Sequence, residues 1–476
     1  MATPRPVIAV ASCVAASLLG DGSLYVVLPV VFTSRGLEAW QVGIILSANR
    51  WIRLLTNAPA ARVLGTRPIR MSFAGALLVA GCTSLAYVTT SFSLLVLARL
   101  VWGACWSIIR LSGLLIVTDC VDANLVSESS IGKMTGLFAG LSRVGSAVGM
   151  AAGGFICDHF GFEALFFLAG VLTIAVAPFA FACAFGSLPA VSVTAASRLE
   201  QLEQHEQHEQ ATEQASASSG HRRCCRAPRW SAVQVRLFAL AFSASCAGNG
   251  LIVSTLGAVL AGHSEVDASS GKSYLDLGFA HVDTATFNGA FIGGRWALEG
   301  LIAPLFGRVI DRHGWRTIAP ASFALSSANG CLGFVALWSA ESAGRDASGG
   351  LLLLVLVSLV LFFLLVSAAD LSVKAMGVML REAPLLVQGD DLGAAVGPLL
   401  GYALLQTGLN PSAVLATQAL VHGAAALVAC SAARAEPHSG GRIVPAGRAS
   451  SRATRADVAL QSVALTSDSV RVVRED

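Results

Sequence analysis

The sequence predicts an all-α membrane protein, with twelve transmembrane helices in two pseudo-symmetric six-helix bundles. Three observations predict it. Only 13% of the 476 residues are charged and 54% are hydrophobic. A soluble domain carries roughly 25% charged residues, so a bilayer is the solvent this chain suits. Apolar stretches of about 20 residues, enough to cross ~30 Å of hydrocarbon, recur along the chain. Short motifs of the first half return in the same order in the second.

The first stretch, MATPRPVIAVASCVAASLLG, begins like a secretory signal, with Arg5 ahead of an apolar run. The run continues past Asp21 to Phe32, which is a full span, so an uncleaved first helix is expected. The first six spans are Val7–Phe32, Trp40–Ala61, Met71–Thr90, Phe92–Thr118, Met134–Cys157 and Glu163–Phe185. The second six are Val233–Gly262, Ala285–Phe306, Thr317–Ser339, Gly350–Leu371, Leu392–Gln406 and Pro411–Ala433. Residues 1–186 and 233–433 are thus the two bundles. The segment between them, 187–232, contains RLEQLEQHEQHEQATEQASASSGHRR. Nothing in it can bury a core, so a disordered cytoplasmic linker is expected. Its His205, Glu206, His208 and Glu209 read as a solvated repeat in preference to a metal site. Residues 434–476 are a polar, Arg-rich tail of the same kind.

Loop charges orient the spans. Arg62, Arg67 and Arg70 lie between spans 2 and 3, and Arg308, Arg312 and Arg316 between spans 8 and 9. The linker adds Arg222, Arg223, Arg226 and Arg229, and the tail Arg434, Arg442 and Arg448, while the alternate loops hold little more than Arg35, Lys272 and Arg345. The positive-inside rule therefore puts both termini and the linker in the cytoplasm. The net charge of +3 is too small to argue for a nucleic-acid partner. Eleven cysteines are scattered, mostly in apolar runs (Cys13, Cys82, Cys105, Cys183), which suits buried side chains and not a disulfide framework. Cys224 and Cys225 are either palmitoylation sites or idle thiols. No spacing suggests a metal, a cofactor or a nucleophile–base set.

The repeat is specific in three places. GDG (20–22) in span 1 returns as GNG (248–250) in span 7. Arg50–Trp51 followed by Arg62–Val63 returns as Arg295–Trp296 followed by Arg308–Val309. Gly145, Gly149 and Gly153 of span 5 return as Gly393, Gly397 and Gly401 of span 11, 248 positions later. In doubled bundles of this kind the path lies between the halves, near the midplane.

These segments resemble the major facilitator superfamily, and within it the drug:proton antiporter-like branch. GRVIDRHGWR carries Gly307, Asp311, Arg312, Gly314 and Arg316 at the offsets of that family's gating-loop motif. RLVWG (99–103) is similar to its span 4 motif, GSAVGMAAGG to its span 5 antiporter motif with Met150 in place of proline, and GDGSLYVVLP to its span 1 segment. The earlier copy of the loop, ARVLGTRPIR, departs from the pattern: Gly65 stands where the family has an acid that braces one conformation. The resemblance implies alternating access and an antiporter-like cycle.

The spaced glycines give two close-packed faces, expected at the interface of the halves, and Pro398 adds a bend in span 11. Intramembrane charges are the other signal, since each costs about 2.5–3.5 kcal/mol on insertion. Asp21 sits mid-span with Ser17 and Tyr25 on its stripe, and is the proton-coupling candidate; a permanently ionised partner of an Arg is the alternative. Arg99, Trp106 and Arg110 share a face of span 4, and Arg50, Arg53 and Asn57 lie on span 2. Asn249 is the uncharged counterpart of Asp21, and Arg295 and Glu299 form an i,i+4 pair on span 8. Four Arg against one Asp in the first half tilts the solute toward an anion or a carboxylate-bearing molecule. Asp119, Asp122, Asp158, Asp390 and Asp391 read as solvated caps at span ends.

The expected function is secondary transport of a small organic solute by a monomer in lipid, coupled to protons. Symport for uptake and a transporter-like sensor without turnover are the alternatives. No enzyme is expected.

Overall fold

The structure, a computed structural model, describes residues 5–122, 131–185, 230–266, 273–276, 280–342, 344–380 and 382–435. The linker and tail expectations, with the His/Glu repeat and Cys224–Cys225, lie outside these residues. The first half holds α1 (Arg5–Val31), α2 (Ala39–Thr66), α3 (Ile69–Ala86), α4 (Phe92–Asp122), α5 (Ile131–Phe160) and α6 (Phe162–Phe185). The seventh rod is broken into α7 (Ala232–Ser245), a π-helical segment (Cys246–Ile252) and α8 (Val253–Gly262). There follow α9 (Thr284–His313), α10 (Trp315–Ser342), α11 (Gly344–Met379), α12 (Ala383–Gln406) and α13 (Ser412–Ala435). This is the expected all-α membrane architecture. One addition was not expected: β1 (Glu265–Val266), β2 (Ser273–Asp276) and β3 (His281–Asp283) form a small antiparallel sheet between α8 and α9.

Eight of the rods are long and apolar enough to cross a membrane. The remaining four are α2, α5, α9 and α12. Their Arg, Asp and Glu lower the hydropathy, and they carry most of the contact between the two halves. Large apolar side chains such as Leu301, Leu332, Leu420 and Leu427 are exposed, as a hydrocarbon solvent permits.

Glycine sets the packing inside each half. A Cβ on Gly145 or Gly149 would lie 2.2 Å from the Ala15 carbonyl oxygen or 2.6 Å from that of Leu19, and one on Gly153 would strike Ser23. The second half repeats this: Gly393 meets Phe242, Gly397 meets Gly250, and Gly401 meets Thr255. These stripes therefore hold α5 on α1 and α12 on the seventh rod. They do not line the interface between halves, which corrects the sequence expectation. Lipid gives helices no hydrophobic reason to touch, so close backbone approach has to supply the contact.

A different set of small residues joins the halves. A Cβ on Gly154 would fall 2.1 Å from the Ala285 carbonyl oxygen, one on Gly289 2.4 Å from that of Met150, and one on Gly293 2.7 Å from that of Ala147. Asp158 closes the end of this seam, accepting from the Thr286 amide at 2.6 Å and its hydroxyl at 2.7 Å. It is a cap across the interface, not a solvated end. Asn288 Nδ2 donates to the Val26 carbonyl at 2.7 Å, and Gly43 of α2 sits against Tyr402 of α12. On α9, Gly300 and Gly307 follow Gly293 at seven-residue steps, so all three share a face. Nothing lies within 4 Å of a Cβ on Gly300, Gly307 or, across on α5, Gly140. The seam is closed at the end remote from the termini and parts toward the end that carries them.

Candidate functional site

Three charged groups occupy the middle of the bundle. The first is within the first half. Arg99 is fully buried, and its Nη1 donates to Asp21 and, at 3.2 Å, to the Tyr87 hydroxyl. Its Nη2 donates to the Tyr25 hydroxyl at 3.2 Å and its Nε to the Ile45 carbonyl at 3.3 Å. The rings of Tyr25, Trp102 and Tyr87 stand 5.2, 5.5 and 5.8 Å from the guanidinium carbon. Tyr25 also reaches the Leu46 carbonyl and Asn49 Oδ1. The other residues of the predicted stripes are structural: Ser17 bonds back to Val14, Trp106 stacks on Trp102 at 5.5 Å, and Asn57 accepts from Ser107 to tie α2 to α4. Arg110 is half-buried and is not among the partners of Asp21.

The second group crosses the interface. Arg53 Nη2 donates to Asp391 Oδ1 at 2.5 Å, and Arg50 Nη1 lies 3.7 Å from the same oxygen. Asp391 is only 4% exposed. It was expected as a solvated cap because span 11 seemed to begin at Leu392; α12 begins at Ala383, two turns earlier. The apparent surplus of Arg in the first half is thus answered by an acid from the second, and the anion argument built on that surplus falls.

The third group lines a cleft beside the π segment, bounded by Asn249, Arg295, Glu299, Ser367 and Asp370. Arg295 Nη2 donates to Asn249 Oδ1 at 2.8 Å, whereas Arg295 Nε and Nη1 have no hydrogen-bond partner. The Arg295–Glu299 pair is 3.9 Å apart and Arg143–Glu299 3.7 Å, both too long for hydrogen bonds. Asp370 Oδ2 accepts from Lys374 Nζ at 2.5 Å. Sequence reading missed this pair because it ended span 10 at Leu371, while α11 runs to Met379. The i,i+4 spacing of an acid and a base was the available signal.

The residues expected to form a gating loop lie apart from all three groups. Gly307, Asp311 and Arg312 are on the last turns of α9, with Asp311 and Arg312 exposed. Gly314 has φ +77°, a conformation that costs other residues and ends α9 so that α10 can start at Trp315. The Arg316 guanidinium lies over Trp315.

Residues 10–380 match the family model of the Major Facilitator Superfamily. The chain belongs to this superfamily. A superfamily member with this fold is a multi-pass membrane transporter and not an enzyme. Among solved structures, the nucleoside transporter NupG superposes with a TM-score of 0.62 at 12% identity, over 91% of this chain and 100% of that one. A POT family transporter in complex with 5-aminolevulinic acid gives 0.59 at 12%, over 89% and 94%. Tetrameric PepTSo2 gives 0.58 at 15%, over 91% and 97%. At such identities the likeness shows a shared fold. No curated protein matches the sequence.

Proposed function

We propose that this transporter carries a small organic solute by alternating access between its halves, driven by protons in an antiporter-like cycle. The observation that carries the reading is the wedge: the α5–α9 seam is tight from Asp158–Thr286 to Gly293–Ala147 and open at Gly140, Gly300 and Gly307. A path between the halves that is shut at one end and parted at the other is one of the two states such a cycle needs. By the loop Arg, the open end faces the cytoplasm.

Asp21 is the proposed proton carrier. Protonation removes one partner of Arg99, yet that guanidinium keeps Tyr25, Tyr87, the Ile45 carbonyl and three ring faces. The buried cation thus stays solvated in both protonation states, which makes a reversible switch at Asp21 tolerable. Liposomes holding the purified protein test this with an imposed pH gradient and a panel of labelled organic acids and amino acids. Asp21→Asn should abolish gradient-driven movement and leave solute exchange intact. Driven movement that persists in the variant removes the proton role, and wild-type protein without flux removes transport.

A further inference from the structure

The cleft beside the π segment is charged in both senses, and that restricts what it can take. We infer that it binds a small zwitterion, with the carboxylate on the free N–H groups of Arg295 and the ammonium against Glu299 and Asp370. The inference rests on the transport reading above and names its solute class.

Arg295 is the built part of the site. Its side chain is 5% exposed, and of its donors only Nη2 has a hydrogen-bond partner, Asn249 Oδ1. Leaving charged donors buried and unanswered is costly, so an entering carboxylate removes a penalty as well as making bonds. The guanidinium is also fixed: the Phe363 and Trp296 rings stand 4.6 and 5.1 Å from its carbon. Donors held in place lose little freedom when a ligand arrives. Asn249 sits in the π segment, a local underwinding of the helix common at functional sites.

The acids decide the rest. Glu299 approaches Arg295 and Arg143 only at 3.9 and 3.7 Å, so neither cation donates to it. Asp370 lines the same cleft and shares one oxygen with Lys374. A simple anion would satisfy Arg295 while lying against two carboxylates. A simple cation would satisfy the carboxylates while leaving Nε and Nη1 empty. A solute with both charges answers both needs. Arg295 and Glu299 are one turn apart, about 6 Å along the axis, so the two charges of the solute must be close.

The test is binding to the full-length protein in nanodiscs, using the neutral L-amino acids, each with its deaminated and decarboxylated analogue. L-valine, isovalerate and isobutylamine form one such set. At least one amino acid should bind about tenfold or more tighter than both of its analogues, the size expected for losing one charged partner. Glu299→Gln should erase the preference over the deaminated acid, and Arg295→Gln should erase it over the amine. Equal binding of an acid or amine analogue, or no amino acid bound, overturns the inference. If Arg295→Gln does not fold, the Glu299→Gln result decides. Counterflow in liposomes separates the two readings: flux of monocarboxylates without amino acids overturns the solute class and leaves transport standing. Selective amino-acid binding without flux of any probe overturns transport and supports the class.

Discussion

Arg53 of α2 and Asp391 of α12 meet across the interface at 2.5 Å, both almost fully buried. Neither half supplies a complete charge pair at this point, so the pair exists only while the halves are together here. Removing Asp391 leaves the buried Arg53 charge unanswered, which costs about 3–5 kcal/mol, whereas removing both leaves only the charge of Arg50, whose side chain is part-exposed. Asp391→Asn should therefore lower the melting temperature markedly, and Arg53→Gln with Asp391→Asn should recover most of the loss. Thermal unfolding of the four proteins reads the coupling; losses that simply add would show that the pair carries no interaction energy.

Glycines that look alike in sequence should behave differently. A Cβ on Gly397 would lie 2.4 Å from the Gly250 Cα, with backbone on both sides and no flexible side chain to yield. Gly397→Ala should cost about 1–3 kcal/mol through overpacking. Gly300→Ala meets nothing within 4 Å and should be neutral or gain up to ~1 kcal/mol of helix propensity. Expression level and melting temperature in detergent check both, and equal behaviour of the two would contradict the packing account.

Arg99 should resist even conservative change. Its planar fork serves Asp21, Tyr25, Tyr87 and a backbone carbonyl at once. A lysine ammonium cannot reproduce that geometry. Arg99→Lys should be less stable than Asp21→Asn, which keeps an acceptor oxygen in place, by roughly 1–2 kcal/mol. Chemical unfolding of the two variants side by side gives the order, and the reverse order would place the cluster's weight on the carboxylate.

Much of this was legible in the sequence, and the failures share a cause. Span number, the doubled pattern and the odd position of Asp21 could be read because lipid punishes charge and rewards small residues at contacts. The same rule misled at Asp391 and Asp370. It treats an acid as the end of a span, but these acids are inside helices that face protein, where Arg53 and Lys374 meet them. The glycine stripes were correctly seen as contact faces, yet one sequence does not say which neighbour each face meets. Tyr87, a partner of Arg99, carries no local signal at all: only the packing of α3 on α4 brings it there. The GNG segment showed repetition with span 1 but not the π turn that aims Asn249 at Arg295.

The central claim is that the halves rock about a path between them, and Gly154 offers the most direct test. Its Cβ would fall on the Ala285 backbone, so Gly154→Val should wedge the seam apart at the closed end. Spin labels on Phe160→Cys with Thr407→Cys report that end, and labels on Arg62→Cys with Arg308→Cys report the other. Electron–electron distance measurements in nanodiscs should show the first separation lengthen in the Gly154→Val background and the second shorten. A first separation that lengthens while the second stays fixed, or lengthens too, would mean that the halves merely part, and the rocking account would be wrong.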